Sequence, residues 1–234
     1  MLSRSGRPFA AVVFGPFAKA AVKVGLTANQ MTVIGALAAC ISALVFFPLN
    51  LLWPGIIVTT ILIIFDNLDG QIARLTNTES EWGKFLDSTC DRITDGVVFS
   101  SLGIWAFLHA DESARLWIVL GALATIVFGG VVPYARAKAE SLGVDAAIGL
   151  AERADRLVVG LITMVLVAAG LPHWVMAVGL WLIAVASFFT MIQRMVVVGK
   201  TLAERAQKAK NRPARAAGAP ARPRPRKTVS DKGN

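Results

Sequence analysis

The sequence is poor in the residues from which small secreted proteins build a covalent framework. It holds two cysteines among 234 residues, Cys40 and Cys90, and they fall in different predicted membrane spans. A disulfide framework needs several paired cysteines, so we expect two free thiols. A cleavable signal peptide is not expected either, because Pro8, Pro16 and Lys19 interrupt any hydrophobic segment of the usual kind.

Charge is scarce over long stretches. Asp, Glu, Lys and Arg make up 17% of the residues, 55% are hydrophobic, and the mean hydropathy is +0.61. These values argue against a soluble domain and are typical of a polytopic membrane protein. A spanning helix needs about 20 mostly apolar residues. We therefore predict an all-α membrane protein with six transmembrane helices, at about 28–50, 52–75, 83–108, 115–139, 150–170 and 173–198.

Two flanking segments differ from the apolar ones. Residues 1–26 mix basic and apolar side chains, which predicts an N-terminal amphipathic juxtamembrane helix in the membrane interface, with an ordinary cytoplasmic flank as the alternative. Residues 201–234 are rich in Ala, Pro, Arg and Lys, which predicts a disordered basic tail. Attraction to an anionic membrane explains that tail without a nucleic-acid partner. The six-helix domain is assigned to residues 27–200.

Positive charge is distributed to one side of the predicted bundle. The net charge is +9, and Arg115 alone among 24 Lys and Arg residues lies near the predicted outer loops. The positive-inside rule then places both termini in the cytoplasm. We expect a multi-pass protein of the cell membrane, with its charged residues near the cytoplasmic face.

Four aspartates fall within the 26 residues from 66 to 91, and long runs without charge flank this region, residues 51–65 before it and 96–110 after it. A carboxylate at membrane depth is costly, so such residues usually face a hydrated cavity and mark function. Spacings of i, i+3 and i, i+4 place each pair on one face of a helix. The four residues are Asp66, Asp69, Asp87 and Asp91.

Four like charges in one pocket repel each other, so a positive partner is required among them. Hard divalent cations prefer oxygen ligands, and Mg²⁺ commonly binds together with substrate phosphates. We therefore predict that the four aspartates hold one or two divalent ions, Mg²⁺ or Mn²⁺. A metal site with separate arginines nearby suits a reaction of two phosphate-bearing substrates, because one phosphate can bind the metal and the other the arginines. The membrane location suggests that one substrate is a lipid.

A group of cations belongs to the same predicted side of the membrane. Arginines at the start of a helix are opposed by its dipole, so Arg153 and Arg156 are better ligand candidates than cations at a helix end. The whole group is Arg136, Lys138, Arg153, Arg156 and Arg194.

Three further polar residues have a structural as well as a functional interpretation. Asn29 and Thr32 point toward the cytoplasmic mouth, although Asn29, like Thr27, could simply cap the first span. Asp95 continues the face of Asp87 and Asp91, and could bind substrate. Pairing with Arg92 is the interpretation we favour for Asp95.

The region around the aspartates resembles a known family. The pattern Asp66-x2-Asp69-Gly70-x2-Ala73-Arg74-x8-Gly83-x3-Asp87-x3-Asp91 matches in full the eight-position signature of the CDP-alcohol phosphotransferases. The resemblance covers about residues 5–198. Within the family the chain is most similar to actinobacterial phosphatidylinositol phosphate synthases. That closer likeness is carried by Leu86–Gly96, Tyr134–Glu140, Glu152–Leu157 and Gln193–Arg194.

The resemblance implies a CDP-alcohol phosphatidyltransferase. It would move the phosphatidyl group of CDP-diacylglycerol to inositol phosphate, giving phosphatidylinositol phosphate and CMP. The same chemistry with glycerol 3-phosphate is the alternative, and a cation transporter is a third hypothesis. The resemblance also implies two metal ions, a homodimer and contact with membrane lipid.

The resemblance further implies a role for each motif residue. Asp66, Asp69, Asp87 and Asp91 would bind the metal, and Asp91 would also be the catalytic general base. The residues expected to bind CDP-diacylglycerol are Asn29, Thr32, Gly70, Ala73, Arg74 and Gly83. Those expected to bind the acceptor phosphate are Arg136, Lys138, Arg153 and Arg194. Tight helix packing is the alternative explanation for the small residues at 70 and 73.

Overall fold

A computed structural model describes residues 7–66, 68–149 and 152–211. All regular secondary structure in these ranges is α-helical, which confirms the predicted fold class. The helices are α1 (Arg7–Lys23), α2 (Ala28–Phe46), α3 (Leu52–Phe65), α4 (Leu68–Thr76), α5 (Glu81–His109), α6 (Glu112–Ser141), α7 (Arg153–Ala168) and α8 (Trp174–Lys210).

Several helices are suited to a bilayer. Four segments of the described chain are long and apolar enough to cross a membrane: α2, α3 together with α4, α6, and α8. This agrees with the predicted membrane protein. Charged residues crowd the first half of α5, and α7 has 16 residues. The arrangement of six spans therefore stays a prediction.

Local sequence explains where two of the site-bearing helices begin. Thr27 caps α2 with a reciprocal pair of hydrogen bonds: its Oγ1 accepts from the backbone N–H of Gln30 at 3.3 Å, and its own N–H donates to the Gln30 side chain at 3.0 Å. Ser80 caps α5 by accepting from the N–H of Gly83 at 3.0 Å. Oxygen side chains at these positions satisfy amides that lack a partner in the helix. Because Thr27 supplies the cap, Asn29 is left to line a cleft.

The main core lies where α2, α3, α5, α6, α7 and α8 meet. Its largest buried side chains include Trp105, Phe99 and Phe47. The helices approach closely: a Cβ added to Gly55 would lie 2.9 Å from the Phe47 ring. The indole of Trp105 donates to the Asn50 side chain at 2.8 Å, which satisfies its buried polar atom. This packing fixes α5 against its neighbours and so fixes the side chains near its start.

Helix α1 packs on α4, the helix that carries the middle of the motif. Ala18 is fully buried against Leu68 and Ile72, and the rings of Phe17 and Phe65 meet edge-on with centroids 5.1 Å apart. The predicted N-terminal segment 1–26 is thus helical from Arg7 to Lys23, and residues 1–6 lie outside the described part.

The C-terminal end differs from the expectation of a disordered tail over 201–234. Helix α8 continues to Lys210, so the domain boundary assigned at residue 200 falls inside a helix. Arg205 anchors this extension by donating to the carbonyls of Leu142 at 3.0 Å and Gly143 at 2.6 Å. The extension is also rich in Ala, Lys and Arg, which favour helix. Residues 212–234 lie outside the described part.

Candidate active site

Three of the four motif aspartates converge. Asp66 follows the end of α3, while Asp87 and Asp91 lie one turn apart on α5. One carboxylate oxygen from each lies within 4.8 Å of those of the other two. Oδ1 of Asp66 is buried and has no hydrogen-bond partner among the described residues. Converging carboxylates and a buried oxygen without a donor fit a hard divalent cation.

Asp69 has a different environment from the other three aspartates. It lies in the first turn of α4, where its Oδ2 accepts a hydrogen bond from the Thr32 hydroxyl on α2 at 2.5 Å. Its side chain lines a neighbouring cleft, which Asp87 also borders. The predicted set of four therefore divides into a cluster of three, named the acid cluster here (Asp66, Asp87 and Asp91), and one residue on the cleft side.

The cleft opens beside the acid cluster, between the start of α2, helix α4 and the start of α5. Its volume is about 640 Å³ including its open mouth. A Cβ added to Gly70 would meet only the Arg74 guanidinium, at 3.9 Å. The small residue at 70 thus leaves the cleft open, and helix packing does not account for it. The structure gathers in this cleft all six residues expected to bind CDP-diacylglycerol: Asn29, Thr32, Gly70, Ala73, Arg74 and Gly83.

Further lining residues come from the turn between α4 and α5, which the sequence interpretation passed over. Asn77 begins that turn with a φ of +52°, a conformation that Asn tolerates better than most residues. A Cβ added to Gly83 would lie 3.3 Å from both the Asn29 and Ser80 side-chain oxygens, so the wall is narrow there. The position of this turn in the sequence could have indicated its role, because a short polar turn that joins two motif helices borders the space between them. The additional residues are Thr78, Glu79 and Ser80 of the turn, together with Ala28 of α2 and Lys84 of α5.

Arg153, the first residue of α7, lies against the acid cluster. Its Nη1 is 2.6 Å from Oδ1 of Asp91 and 3.4 Å from Oδ2 of Asp66. Its Nε donates to Oδ1 of Asp95 at 3.0 Å. A guanidinium beside several carboxylates offsets part of their mutual repulsion. One of the four residues expected to bind the acceptor phosphate is thereby placed next to the residue expected to be the base.

The interpretation that Asp95 pairs with Arg92 is wrong. The carboxylate of Asp95 faces α7, where it accepts hydrogen bonds from Arg153 and, at 2.8 Å, from Arg156. Arg92 instead approaches Asp91, with 3.4 Å between Nη2 and Oδ2. Two arginines of the neighbouring helix reach the buried acid, so it has no need of a partner on its own helix.

The remaining cations do not join Arg153 at the acid cluster. Arg194 is buried and donates to the backbone carbonyls of Ile148 at 2.8 Å and Val132 at 2.5 Å. Arg136 lies one turn from Val132 on α6 and pairs with Glu140 at 2.9 Å. The structure thus brings Arg194 and Arg136 to the same stretch of α6.

Lys138 lies on another side of α6. It is exposed and stands two residues beyond Arg136, a rotation of about 200° around the helix. The four residues expected to bind the acceptor phosphate therefore do not converge on one point.

Comparison with known proteins agrees with this geometry. Residues 25–185 match the family model of the CDP-alcohol phosphatidyltransferases. The phosphatidylinositol phosphate synthase of Cutibacterium acnes is 38% identical over 195 residues, which cover 80% of this chain and 93% of that protein.

Two solved structures of the Mycobacterium tuberculosis phosphatidylinositol phosphate synthase are also similar, each with a TM-score of 0.72 and 37% identity over 78% of this chain. One contains CDP-DAG and is covered over 92% of its length; the other contains manganese and citrate and is covered over 87%. These matches confirm the resemblance that the aspartate motif indicates. The chain belongs to the CDP-alcohol phosphatidyltransferase family.

Proposed function

We propose that the protein transfers the phosphatidyl group of CDP-diacylglycerol to inositol phosphate, releasing phosphatidylinositol phosphate and CMP. The observation that carries the proposal is the juxtaposition of the acid cluster with a cleft lined by the rest of the motif. Relatives named phosphatidylinositol phosphate synthase, at 36–38% identity, support the choice of acceptor.

The cleft is the proposed site of the cytidine diphosphate group. Gly70 and Ala73 let a flat base approach the backbone of α4, and the exposed Arg74 at the mouth is suited to a phosphate oxygen. Asn29 and Thr32 close the cleft from α2, with Gly83 opposite on α5. The diphosphate then lies toward Asp87, which belongs to the acid cluster and also lines the cleft.

The acid cluster is the proposed metal site, with Asp69 as a ligand from the cleft side. A bound divalent ion neutralises the diphosphate and stabilises the phosphate of departing CMP. We propose two ions, Mg²⁺ or Mn²⁺, because the carboxylates divide between the cluster and the cleft. The manganese in the mycobacterial structure supports a metal in this family.

Asp91 is the proposed general base. Its carboxylate accepts the proton of the acceptor hydroxyl, and the acceptor oxygen forms a bond to the β-phosphorus of CDP-diacylglycerol. The bond from that phosphorus to the bridging oxygen breaks, and CMP leaves with the electron pair. The acid is only partly exposed, at 16% of its side-chain surface, which limits competition from water.

Arg153 is the proposed principal ligand of the acceptor phosphate. Its guanidinium already faces Asp91. An inositol phosphate bound to Arg153 through its phosphate therefore presents its ring hydroxyls beside the base. A guanidinium fork binds phosphate with two hydrogen bonds. Arg136 and Arg194 are proposed to extend the site along α6, and Lys138 to attract the anion at its entrance.

We propose that the chain spans the membrane six times. The four apolar segments would be joined by α5 and α7 as the two further spans. The charged residues of the site then lie at the cytoplasmic end of a protein of the cell membrane. Helix α1, from Arg7 to Lys23, is proposed to lie in the interface. A homodimer is proposed on the family resemblance.

A screen of acceptors tests the function. The purified protein is given CDP-diacylglycerol, Mg²⁺ and either inositol phosphate, glycerol 3-phosphate or free inositol, and CMP release is measured. The proposal expects release with inositol phosphate and little with the others. Preference for glycerol 3-phosphate would make the protein a phosphatidylglycerol phosphate synthase. Mn²⁺ uptake into liposomes without CMP release under any condition would favour transport.

A further inference from the structure

A buried ionic array lies behind the acid cluster. Asp95 on α5 and Arg156 on α7 are 8% and 2% exposed, and Arg156 donates from Nη2 to Oδ2 of Asp95 at 2.8 Å. The other carboxylate oxygen, Oδ1, accepts from Nε of Arg153 at 3.0 Å. One acid thus serves two arginines that stand three residues apart, on one face of α7.

Stability alone is a weak reason for this array. Burying charges is costly, and apolar residues of similar volume often serve a core as well or better. The bundle nevertheless makes room for Arg156: a Cβ added to Gly129 on α6 would lie 3.1 Å from its Nε. Three helices therefore adapt to hold the carboxylate of Asp95 in one place.

The consequence of holding Asp95 is the direction of Arg153. A guanidinium bound through Nε has one edge committed, and the end edge formed by its two Nη atoms is left for other partners. In this structure they face Asp66 and Asp91, with Nη1 2.6 Å from the latter. Without a partner at Nε, Arg153 could turn its whole fork onto the acid cluster or swing away from it.

We propose that Asp95 is a positioning residue that sets the orientation of Arg153 over the acid cluster, with Arg156 holding Asp95 in turn. Asp95 touches neither substrate nor metal in this scheme and acts through Arg153. The inference rests on the proposed function in one respect, since the phosphate oriented by Arg153 is that of the acceptor.

The kinetic test uses Asp95→Asn in the full-length protein. An amide keeps the shape of the carboxylate but loses its charge and accepts through one oxygen only. The expected result is a rise of about tenfold in the KM for inositol phosphate, the effect of weakening one charge-assisted contact. The KM for CDP-diacylglycerol stays within about twofold, because its cleft is formed by other residues. Asp111→Asn, at the opposite end of the bundle, is the matched control.

Coupling to Arg153 separates positioning from a purely structural role. If Asp95 acts through Arg153, Asp95→Asn adds little once Arg153→Ala is present. The proposal is overturned if Asp95→Asn leaves the acceptor KM unchanged, raises both KM values equally, or acts as strongly without Arg153. Should Asp95→Asn fold poorly, Gly129→Ala displaces Arg156 with no change of charge, and the same comparison with and without Arg153→Ala applies.

A second readout does not depend on the acceptor. Binding of Mn²⁺ to the protein without substrates is followed by electron paramagnetic resonance. Asp95→Asn is expected to shift the Mn²⁺ affinity severalfold, since a misdirected Arg153 alters the field at the acid cluster, and Arg153→Ala is expected to abolish that shift. An unchanged affinity, or a shift that persists without Arg153, overturns the positioning role. If the wild type releases no CMP with inositol phosphate, the proposed function fails, and the Mn²⁺ curves still decide on Asp95.

Discussion

Arg153 of α7 lies 2.6 Å from Asp91 of α5, so a cation from the second half of the chain contacts the last aspartate of the motif. The two residues are 62 positions apart, and only the folded bundle brings them together. The pair connects the residue proposed as general base with the residue proposed to bind the acceptor phosphate. We therefore expect changes at Asp91 to affect turnover and changes at Arg153 to affect binding of the acceptor.

Asp91→Asn should abolish turnover, because an amide cannot take the proton of the acceptor hydroxyl. Loss of a general base typically costs about 10²–10⁴-fold in rate. Binding of CDP-diacylglycerol, measured separately, should remain close to that of the wild type. Loss of lipid binding of the same size as the loss of rate would assign Asp91 mainly to the metal.

Arg153→Ala should raise the KM for inositol phosphate at least about tenfold, because a charge-assisted contact to phosphate is lost. Its effect on the KM for CDP-diacylglycerol should be small. Steady-state kinetics with each substrate varied in turn gives both values. Arg205→Ala, which removes a guanidinium from the C-terminal extension, is the control and should leave both constants unchanged. Equal rises in both KM values would remove Arg153 from the acceptor site.

Gly70→Ala should separate stability from binding. The added methyl group meets only the Arg74 side chain, and Ala favours helix over Gly by about 1 kcal/mol. The thermal unfolding midpoint should therefore stay the same or rise, while the KM for CDP-diacylglycerol rises severalfold because the methyl enters the cleft. Gly130→Ala, on an open face of α6, should show the stabilisation without the change in KM. An unaltered lipid KM in Gly70→Ala would place the nucleotide elsewhere.

Thr32→Val should weaken binding of CDP-diacylglycerol, because the side chain of Asp69 loses a hydrogen bond that holds it in place. The Thr32 hydroxyl donates to Oδ2 of Asp69 at 2.5 Å, and Val has the same shape without a donor. We expect a severalfold higher KM for CDP-diacylglycerol, with the unfolding midpoint changed by only a few degrees. Thr32→Ser keeps the hydroxyl and should restore the wild-type value. A Ser variant as impaired as the Val variant would mean that the methyl group, and not the hydrogen bond, matters.

Short-range spacing accounts for the parts of the site that the sequence predicted well. Asp87 and Asp91 stand one turn apart on a helix, so periodicity alone places them on one face. The assignment of Gly70 and Arg74 to the cleft follows from the family resemblance. The all-helical fold follows likewise from long apolar runs. These features need no knowledge of how distant segments meet.

The features that differ from prediction depend on contacts between distant segments. The sequence favours a pair between Asp95 and Arg92 of the same helix, whereas arginines of α7 reach Asp95 across the bundle. Arg194 is buried against backbone carbonyls, which no side-chain pattern reveals. Arg205 orders the start of the predicted tail by the same means.

The central claim is that the acid cluster and its cleft release CMP from CDP-diacylglycerol when an inositol phosphate and a divalent ion are both present. The most direct measurement is CMP release by the purified protein with each component omitted in turn. The account predicts release with the complete mixture, and its loss on removal of inositol phosphate, on chelation of the metal, or in Asp66→Asn, whose buried oxygen has no donor among the described residues. CMP release that survives chelation, or that proceeds unchanged in Asp66→Asn, would contradict it.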